Sequence, residues 1–460
     1  MKNLLFAIVG LLLVCSHSVL AGRNVILIIG DGMDDKQISI ARNYLVGARG
    51  KLTLDHMPVR GVAQVLTVTE QGQPVYVADS ANSATSIATG EITSRGRIAT
   101  SPGSDKSLPT IVEILEAQGY KTGLVATSSV TDATPASFVA HINMRYCENP
   151  ETIHGAKMGP VTLPDCPSYT KANGGPGSIS EQIAASEVDV VLGGGAKHFN
   201  ITAENSEHSV AELARRNGYH VIESREDLAS APADKKLLGL FSPSTMPVRL
   251  QGEGAREAEA PKPSWANQLH PYLGSVKQPV PMNCEPNPAF KDMPSLKQMT
   301  ETALARLHND QGFFLMVESA SIDKQSHERK PCGSIGELAQ LNEALDSALA
   351  YAEDNPETLV LVTADHAQAA QMIPAESLFS KFPIPVYSPG KIALLRTPEG
   401  ALLAVNYATN NFAYEEHTGA NVAVFANREG IGRVPTMLTQ PELFALMRDY
   451  IVQAEPSNMH

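Results

Sequence analysis

The chain has 460 residues, 43% of them apolar and 18% charged, so it can bury a large core and is not disordered. Its 34 Gly and 31 Pro follow no period, which excludes collagen-like and low-complexity classes. Lys and Arg number 36 against 49 Asp and Glu, a formal charge of −13. That balance argues against a general nucleic-acid binder, but an acidic chain can hold an acidic small molecule if metal ions supply positive charge locally.

The predicted elements begin with a signal peptide over 1–21: Lys2 at its positive end, an apolar stretch over 4–14, and Val19-Leu20-Ala21 as a small-residue cleavage site. The apolar run is shorter than the roughly 20 residues of a membrane anchor, and Ser16, His17 and Ser18 break it. Val14 is too bulky for lipoprotein processing at Cys15. The expectation is a periplasmic or secreted protein with no membrane anchor.

Strand-like and helix-like stretches then alternate. Continuous apolar runs at 24–29, 123–126, 189–192, 236–241, 312–317 and 357–363 read as strands, and 108–118, 178–187, 210–217, 296–308 and 335–352 carry apolar residues at helical spacing. A closing helix is expected over 442–452. Uninterrupted apolar strands separated by helices predict an α/β fold, a three-layer α/β/α sandwich with a large, mostly parallel central sheet. The stretch 242–294, rich in Pro, Gly and charge, reads as a long excursion that Cys284 could tether, and 371–416 as a second, irregular one. One catalytic domain over 22–460 with two decorations is the expected organisation.

Three of these strands end in acids. The run from Asn24 ends in Asp31, that from Gly312 in Glu318, and that from Glu357 in Asp365-His366. In an open parallel sheet the carboxyl ends of the strands form one rim, where ligands bind. Carboxylates gathered there raise one another's pKa unless cations neutralise them. Asp323 and His327 are four apart, so on a helical turn they share a face and can grip one ion. Asp365 and His366 can both ligate only where the strand has turned into a loop. His417 is a later candidate. Taken singly, a strand-ending Asp is commonly a cap or turn residue and a lone His is commonly structural.

Ser80 follows Asp79, which can cap a helix of small residues and so place the serine hydroxyl at a helix N-terminus, where backbone amides favour an anion. No G-x-S-x-G elbow occurs, and Gly193-Gly194-Gly195 with Lys197 lacks the spacing of a phosphate-binding P-loop. Removal of the signal leaves Cys147, Cys166, Cys284 and Cys332. An even number in an exported chain suggests disulfides with three possible pairings, sequence neighbours being the simplest. A zinc–cysteine site is the rival, but no C-x-x-C pair is present.

Gly30-Asp31-Gly32-Met33, Asp79-Ser80-Ala81, Asp132-Ala133-Thr134-Pro135, 141–145, 318–327, Thr363-Ala364-Asp365-His366 and Glu416-His417-Thr418-Gly419 together resemble the bacterial alkaline phosphatases in order and spacing. The resemblance implies hydrolysis of small-molecule phosphate monoesters by a homodimer with two zinc ions and one magnesium. It implies Asp323, His327 and His417 as ligands of the first zinc, and Asp31, Asp365, His366 and Ser80 as those of the second. Asp31, Thr134 and Glu318 would hold magnesium. It further implies Ser80 as nucleophile, Arg145 as the phosphate clamp, Asp132 and Lys324 as a supporting pair, and Cys147–Cys166 and Cys284–Cys332 as disulfides. A related phosphodiesterase or sulfatase, or a metal- or phosphate-binding protein without turnover, are the competing readings. Two positions depart from the family's pattern: Asn82 replaces a small residue behind the serine, and Gln368 stands where a histidine near the zinc pair is common.

Overall fold

The six apolar runs pair into one sheet with four further strands that the strand reading of the sequence does not include, ten in all. In chain order these are β1 (Asn24–Gly30), β2 (Val59–Gln64), β3 (Lys121–Ser129), β4 (Val190–Gly194), β5 (Tyr219–Ile222), β6 (Lys236–Leu240), β7 (Phe313–Ser319), β8 (Thr358–Thr363), β9 (Val422–Ala426) and β10 (Met437–Thr439). Across the sheet the order is β10-β2-β9-β8-β1-β7-β3-β4-β6-β5. Only β9 runs antiparallel to its neighbours, β8 and β2. The computed structural model describes residues 22–452 apart from 159–160, 378, 380–381, 383–384 and 386–387. The expected signal peptide, with Cys15, lies outside the described residues, as does part of the 371–416 excursion.

Every residue of β1, β7 and β8 is buried, as a sheet covered on both faces requires. Two adjacent residues of β7 show the covering directly. Successive strand side chains point to opposite faces. Phe313 meets Tyr351 edge-on at a centroid distance of 5.5 Å, while Phe314 stacks on Phe138 at 5.9 Å. Tyr351 belongs to the long helix Pro331–Asp354, and Phe138 follows the short helix Ala133–Ala136, so different helices cover the two faces. The three-layer expectation holds.

The helices that matter most for the site are α1 (Asp35–Val46), α2 (Ser80–Thr89), α3 (Ser321–His327), α4 (Pro331–Asp354) and α5 (Gln440–Ile451). Their starts follow capping chemistry. Asp34 accepts hydrogen bonds from the backbone N–H groups of Lys36 and Gln37 at the head of α1, and Thr439 with Glu442 forms a capping box at α5.

The excursion at 242–294 carries short two-stranded ladders, Leu250–Gly252 with Cys284–Pro286 and Lys262–Pro263 with Val276–Lys277. Cys284 ties it to Cys332 in the first turn of α4, and a second bridge joins Cys147 to Cys166. The neighbour pairing is the one present. The second excursion is not irregular throughout: Gln371–Ile373, Lys391–Arg396 and Leu402–Tyr407 form a small antiparallel sheet. Its strands are short and interrupted, so their alternation is weak in sequence. No helix among the described residues is long and apolar enough to cross a membrane.

A crosslink stabilises mainly by restricting the unfolded chain, and more so for longer loops. Separations of 48 residues for Cys284–Cys332 and 19 for Cys147–Cys166 therefore rank the two. Replacing the first pair by serines is expected to cost about 4 kcal/mol and the second about 3 kcal/mol; urea unfolding of the two double variants checks the order.

Candidate active site

Register brings the acids together. Ile29 of β1 pairs with Glu318 of β7 on one side and with Thr363 of β8 on the other. Asp31 and Asp365 therefore each lie two residues beyond the same rung, and Glu318 stands level with it. Glu318 also pairs with Ala126 of β3, so the loop after β3 delivers Asp132 and Thr134 to the same rim. β8 ends at Thr363, and the chain has left the strand at Asp365 and His366, which frees both side chains to face one point.

Two ligand sets result, each with its donor atoms within 4.8 Å of one another: Asp323, His327 and His417, and Asp31, Asp365 and His366. In the first, His327 Nε2 lies 3.1 Å from Asp323 Oδ2 and 3.0 Å from His417 Nε2, and His417 Nε2 lies 3.4 Å from Asp323 Oδ1. The one-turn spacing on α3 sets this geometry, since Asp323 and His327 occupy one helical face. In the second set His366 Nε2 lies 3.4 Å from Asp31 Oδ1, 3.5 Å from Asp365 Oδ2 and 3.2 Å from Ser80 Oγ. The His366 and His417 rings stack at 3.6 Å, joining the two sets.

The outer hydrogen bonds fix which ring nitrogens face inward. His327 Nδ1 donates to the Glu415 carbonyl, and His417 Nδ1 donates to the Ala78 carbonyl at 2.9 Å. A carbonyl can only accept, so Nδ1 carries the proton and the Nε2 lone pair is left for a metal. Asp365 Oδ1 accepts from the N–H groups of Gly32 at 3.1 Å and His366 at 2.9 Å. Gly32 is at φ +69°, and a Cβ there would lie 3.1 Å from that of Asp323. Here glycine supplies both a left-handed turn and room.

Asp31 Oδ1, Asp365 Oδ2 and Thr134 Oγ1 are buried without a hydrogen-bond partner. Unpaired buried oxygens of this kind are costly, and their number at one rim fits the donor set of divalent cations. The proton affinities agree. Burial, then Asp365, raises the Asp31 carboxyl well above its ordinary value. Burial, then Asp323, moves Asp365 to about 6, and burial, then Asp132, moves Glu318 to about 8. Asp323 goes the other way: burial pushes it up, but His327 and His417, as imidazolium rings when no metal is bound, pull it further down. Burial, then His417, keeps His366 neutral well below its usual range, the form that ligates metal.

Ser80 opens α2. Asp79 caps that helix by accepting from the Asn82 N–H at 3.1 Å, and Asn82 Oδ1 accepts in turn from the Asp79 N–H at 2.8 Å. Asn82 Nδ2 also donates to the Leu66 carbonyl at 3.1 Å. The departure at Asn82 thus completes a capping box behind the serine. Arg145 is aimed by two carboxylates, its Nη2 lying 2.8 Å from Asp132 Oδ1 and its Nη1 3.3 Å from Asp79 Oδ2. Lys324 Nζ pairs with the other Asp132 oxygen. Burial opposes the Asp132 charge, but Lys324 and Arg145 outweigh it and hold the carboxyl below its usual range.

Sequence reasoning missed several supports. Gln368 Nε2 donates to Asp323 Oδ1 at 2.6 Å, so the residue found in place of histidine orients a ligand of the first set. Ser128 Oγ donates to Glu318 Oε2 at 2.8 Å, and Gln440 Nε2 to the Asp365 carbonyl at 2.6 Å. No local pattern marks these polar residues before the fold is known. Asp79 was legible as a cap, but its grip on Arg145, 66 residues away, was not.

The family model for alkaline phosphatase matches residues 22–430. The chain is 39% identical to streptomycin-6-phosphate phosphatase of Streptomyces griseus over 92% of its own length and 89% of that protein's. It is 38% identical to alkaline phosphatase of Escherichia coli (strain K12), over 93% of this chain and 85% of the relative. Among solved structures, alkaline phosphatase of Thermus thermophilus superposes with a TM-score of 0.65 at 20% identity, covering 95% of this chain and 93% of that one, a likeness of fold. With the rim carboxylates, the histidine pairs and the capped serine on one sheet edge, the chain belongs to the alkaline phosphatase family of phosphate monoester hydrolases.

Proposed function

We propose that this chain hydrolyses phosphate monoesters to an alcohol and inorganic phosphate through a phosphoserine formed on Ser80, in a site for two zinc ions and one magnesium. One observation carries the reading: Asp31 Oδ1 and Asp365 Oδ2, buried and unpartnered, stand with Ser80 Oγ around a single nitrogen of His366. Asp323, His327 and His417 would hold the first zinc; Asp31, Asp365, His366 and Ser80 the second; Asp31, Thr134 and Glu318 the magnesium. When bound, these ions would neutralise the carboxylates and stabilise negative charge on the oxygens entering and leaving phosphorus.

The chain's own groups bind, aim and exclude. The first turn of α2 presents Ser80 with backbone amides that favour an anion. Ser80 Oγ, its proton released to solvent, attacks phosphorus in line, the ester P–O bond breaks, and the alcohol departs with a proton taken back from solvent. Water then attacks the phosphoserine, the Oγ–P bond breaks, and Ser80 regains its proton as inorganic phosphate leaves. Arg145 would grip two phosphate oxygens, and Asp79 and Asp132 hold its guanidinium in a fixed direction. Lys324, placed by Asp132, would add positive charge beside the phosphate. These contacts address phosphate, so little selectivity for the alcohol is expected. Export by the predicted signal peptide to the periplasm or medium, one catalytic domain over 22–460, and a homodimer complete the reading; the two disulfides support an oxidising compartment.

Ser80→Ala is expected to lower turnover at least ~10³-fold with zinc content nearly unchanged, since Asp31, Asp365 and His366 remain, and to abolish labelled phosphate trapped on the protein at acid pH. Unaltered turnover excludes Ser80 as nucleophile. Elemental analysis of the mature protein should find two zinc and one magnesium per chain, and chelation should remove activity until both metals are returned. On a single preparation a monoester should be cleaved far faster than a diester or a sulfate ester; the reverse order selects a phosphodiesterase or sulfatase.

A further inference from the structure

The proposed ligands of the first zinc lie on two unrelated segments, helix α3 and the stretch between Tyr407 and Val422, which has no helix or strand. What shapes that stretch is one buried ion pair. Arg329, two residues past His327, is 3% exposed, and Glu415, two residues before His417, is 1% exposed. Their Nε and Oε2 atoms are 2.5 Å apart. The remaining guanidinium nitrogens donate to the carbonyls of Ala413 and Phe412, both at 2.8 Å, and to Asn410 Oδ1 at 3.2 Å. Glu415 Oε1 accepts from the Thr409 N–H, from Thr409 Oγ1 at 2.6 Å and from the Asn410 N–H at 3.3 Å. To reach this position Arg329 adopts φ +58°, a left-handed conformation unfavourable for a residue with a Cβ.

The main chain of Glu415 clasps His327 from both sides. Its N–H donates to the His327 carbonyl at 2.9 Å, and its carbonyl accepts from His327 Nδ1. The residue that closes the ion pair therefore fixes the ring of one histidine and, two residues on, the start of the other, whose Nε2 atoms stand 3.0 Å apart. The second set takes its hydrogen bonds from other groups, the Gly32 N–H and the Gln440 side chain, and touches the first through the His366–His417 stack. We propose that Arg329 and Glu415 are a positioning pair for the first zinc: the loop they hold sets the tautomer of His327, through the Glu415 carbonyl, and the separation of His327 from His417. Replacing a buried ion pair by apolar or neutral groups need not destabilise a protein, whereas removing one partner leaves an unpaired buried charge. Groups that orient metal ligands typically contribute 10–100-fold in metal affinity.

The inference rests on the two-zinc reading above, and one experiment separates their failures. Zinc affinity is measured by competition with a chelating dye for the wild type, Arg329→Met, the doubly neutral Arg329→Met/Glu415→Gln, and Asp323→Ala, together with the visible absorption of the cobalt-substituted proteins. The expected result is that Arg329→Met weakens one zinc about 10–100-fold, the same ion lost in Asp323→Ala, with a shifted cobalt band for that ion and the other zinc unchanged. If Arg329→Met does not fold, the double variant, which buries no unpaired charge, is expected to show the same selective loss. Two zincs bound with wild-type affinity and an unchanged cobalt spectrum, or a loss shared equally by both ions, overturns the positioning role. A wild-type protein that binds no zinc overturns the two-zinc reading itself.

Discussion

The crowding of acids at the carboxyl edge of the sheet is the constraint on which the rest of the site depends. Asp31, Glu318 and Asp365 are all buried, and each is driven to bind protons more tightly, burial being the leading cause. Charges placed so close in a poorly solvated rim repel unless positive charge intervenes. The fold provides some of that charge itself, through Lys324, Arg145 and the amides that open α2. It leaves carboxylate and hydroxyl oxygens with no partner, and those oxygens are what a divalent ion requires.

Around this rim the chain arranges neutral supports that leave the inward atoms free. Backbone carbonyls take the outer nitrogens of His327 and His417, amides of the 31–32 turn and of His366 hold one oxygen of Asp365, and Gln368 turns Asp323. Asp132 stands between two cations and serves both. The same logic explains Asn82: a polar residue behind Ser80 is tolerated because it satisfies the cap of the helix that presents the serine.

The excursions serve the same edge. The segment tethered by Cys284 to the start of α4 donates the Ala258 N–H to the Arg329 carbonyl at 2.9 Å. The small antiparallel sheet within the second excursion ends at Tyr407, where the loop carrying Glu415 and His417 begins. The first decoration is thus joined by a hydrogen bond, distant in sequence, to the segment that carries His327, and the second runs directly into the loop that carries His417.

The sequence by itself determined the alternation of strands and helices, the acids that end β1, β7 and β8, the helical spacing of Asp323 and His327, and the cap before Ser80, because each is a short-range pattern with a local physical cause. Family resemblance then supplied the partners that no local pattern could name. Tertiary structure alone decided that β9 is antiparallel, that Gln371–Ile373, Lys391–Arg396 and Leu402–Tyr407 pair into their own sheet, that Gln368 holds Asp323, and that Arg329 meets Glu415 across 86 residues. These depend on register and on long-range approach of polar groups, and a polar residue looks the same in sequence whether solvent or a distant partner satisfies it.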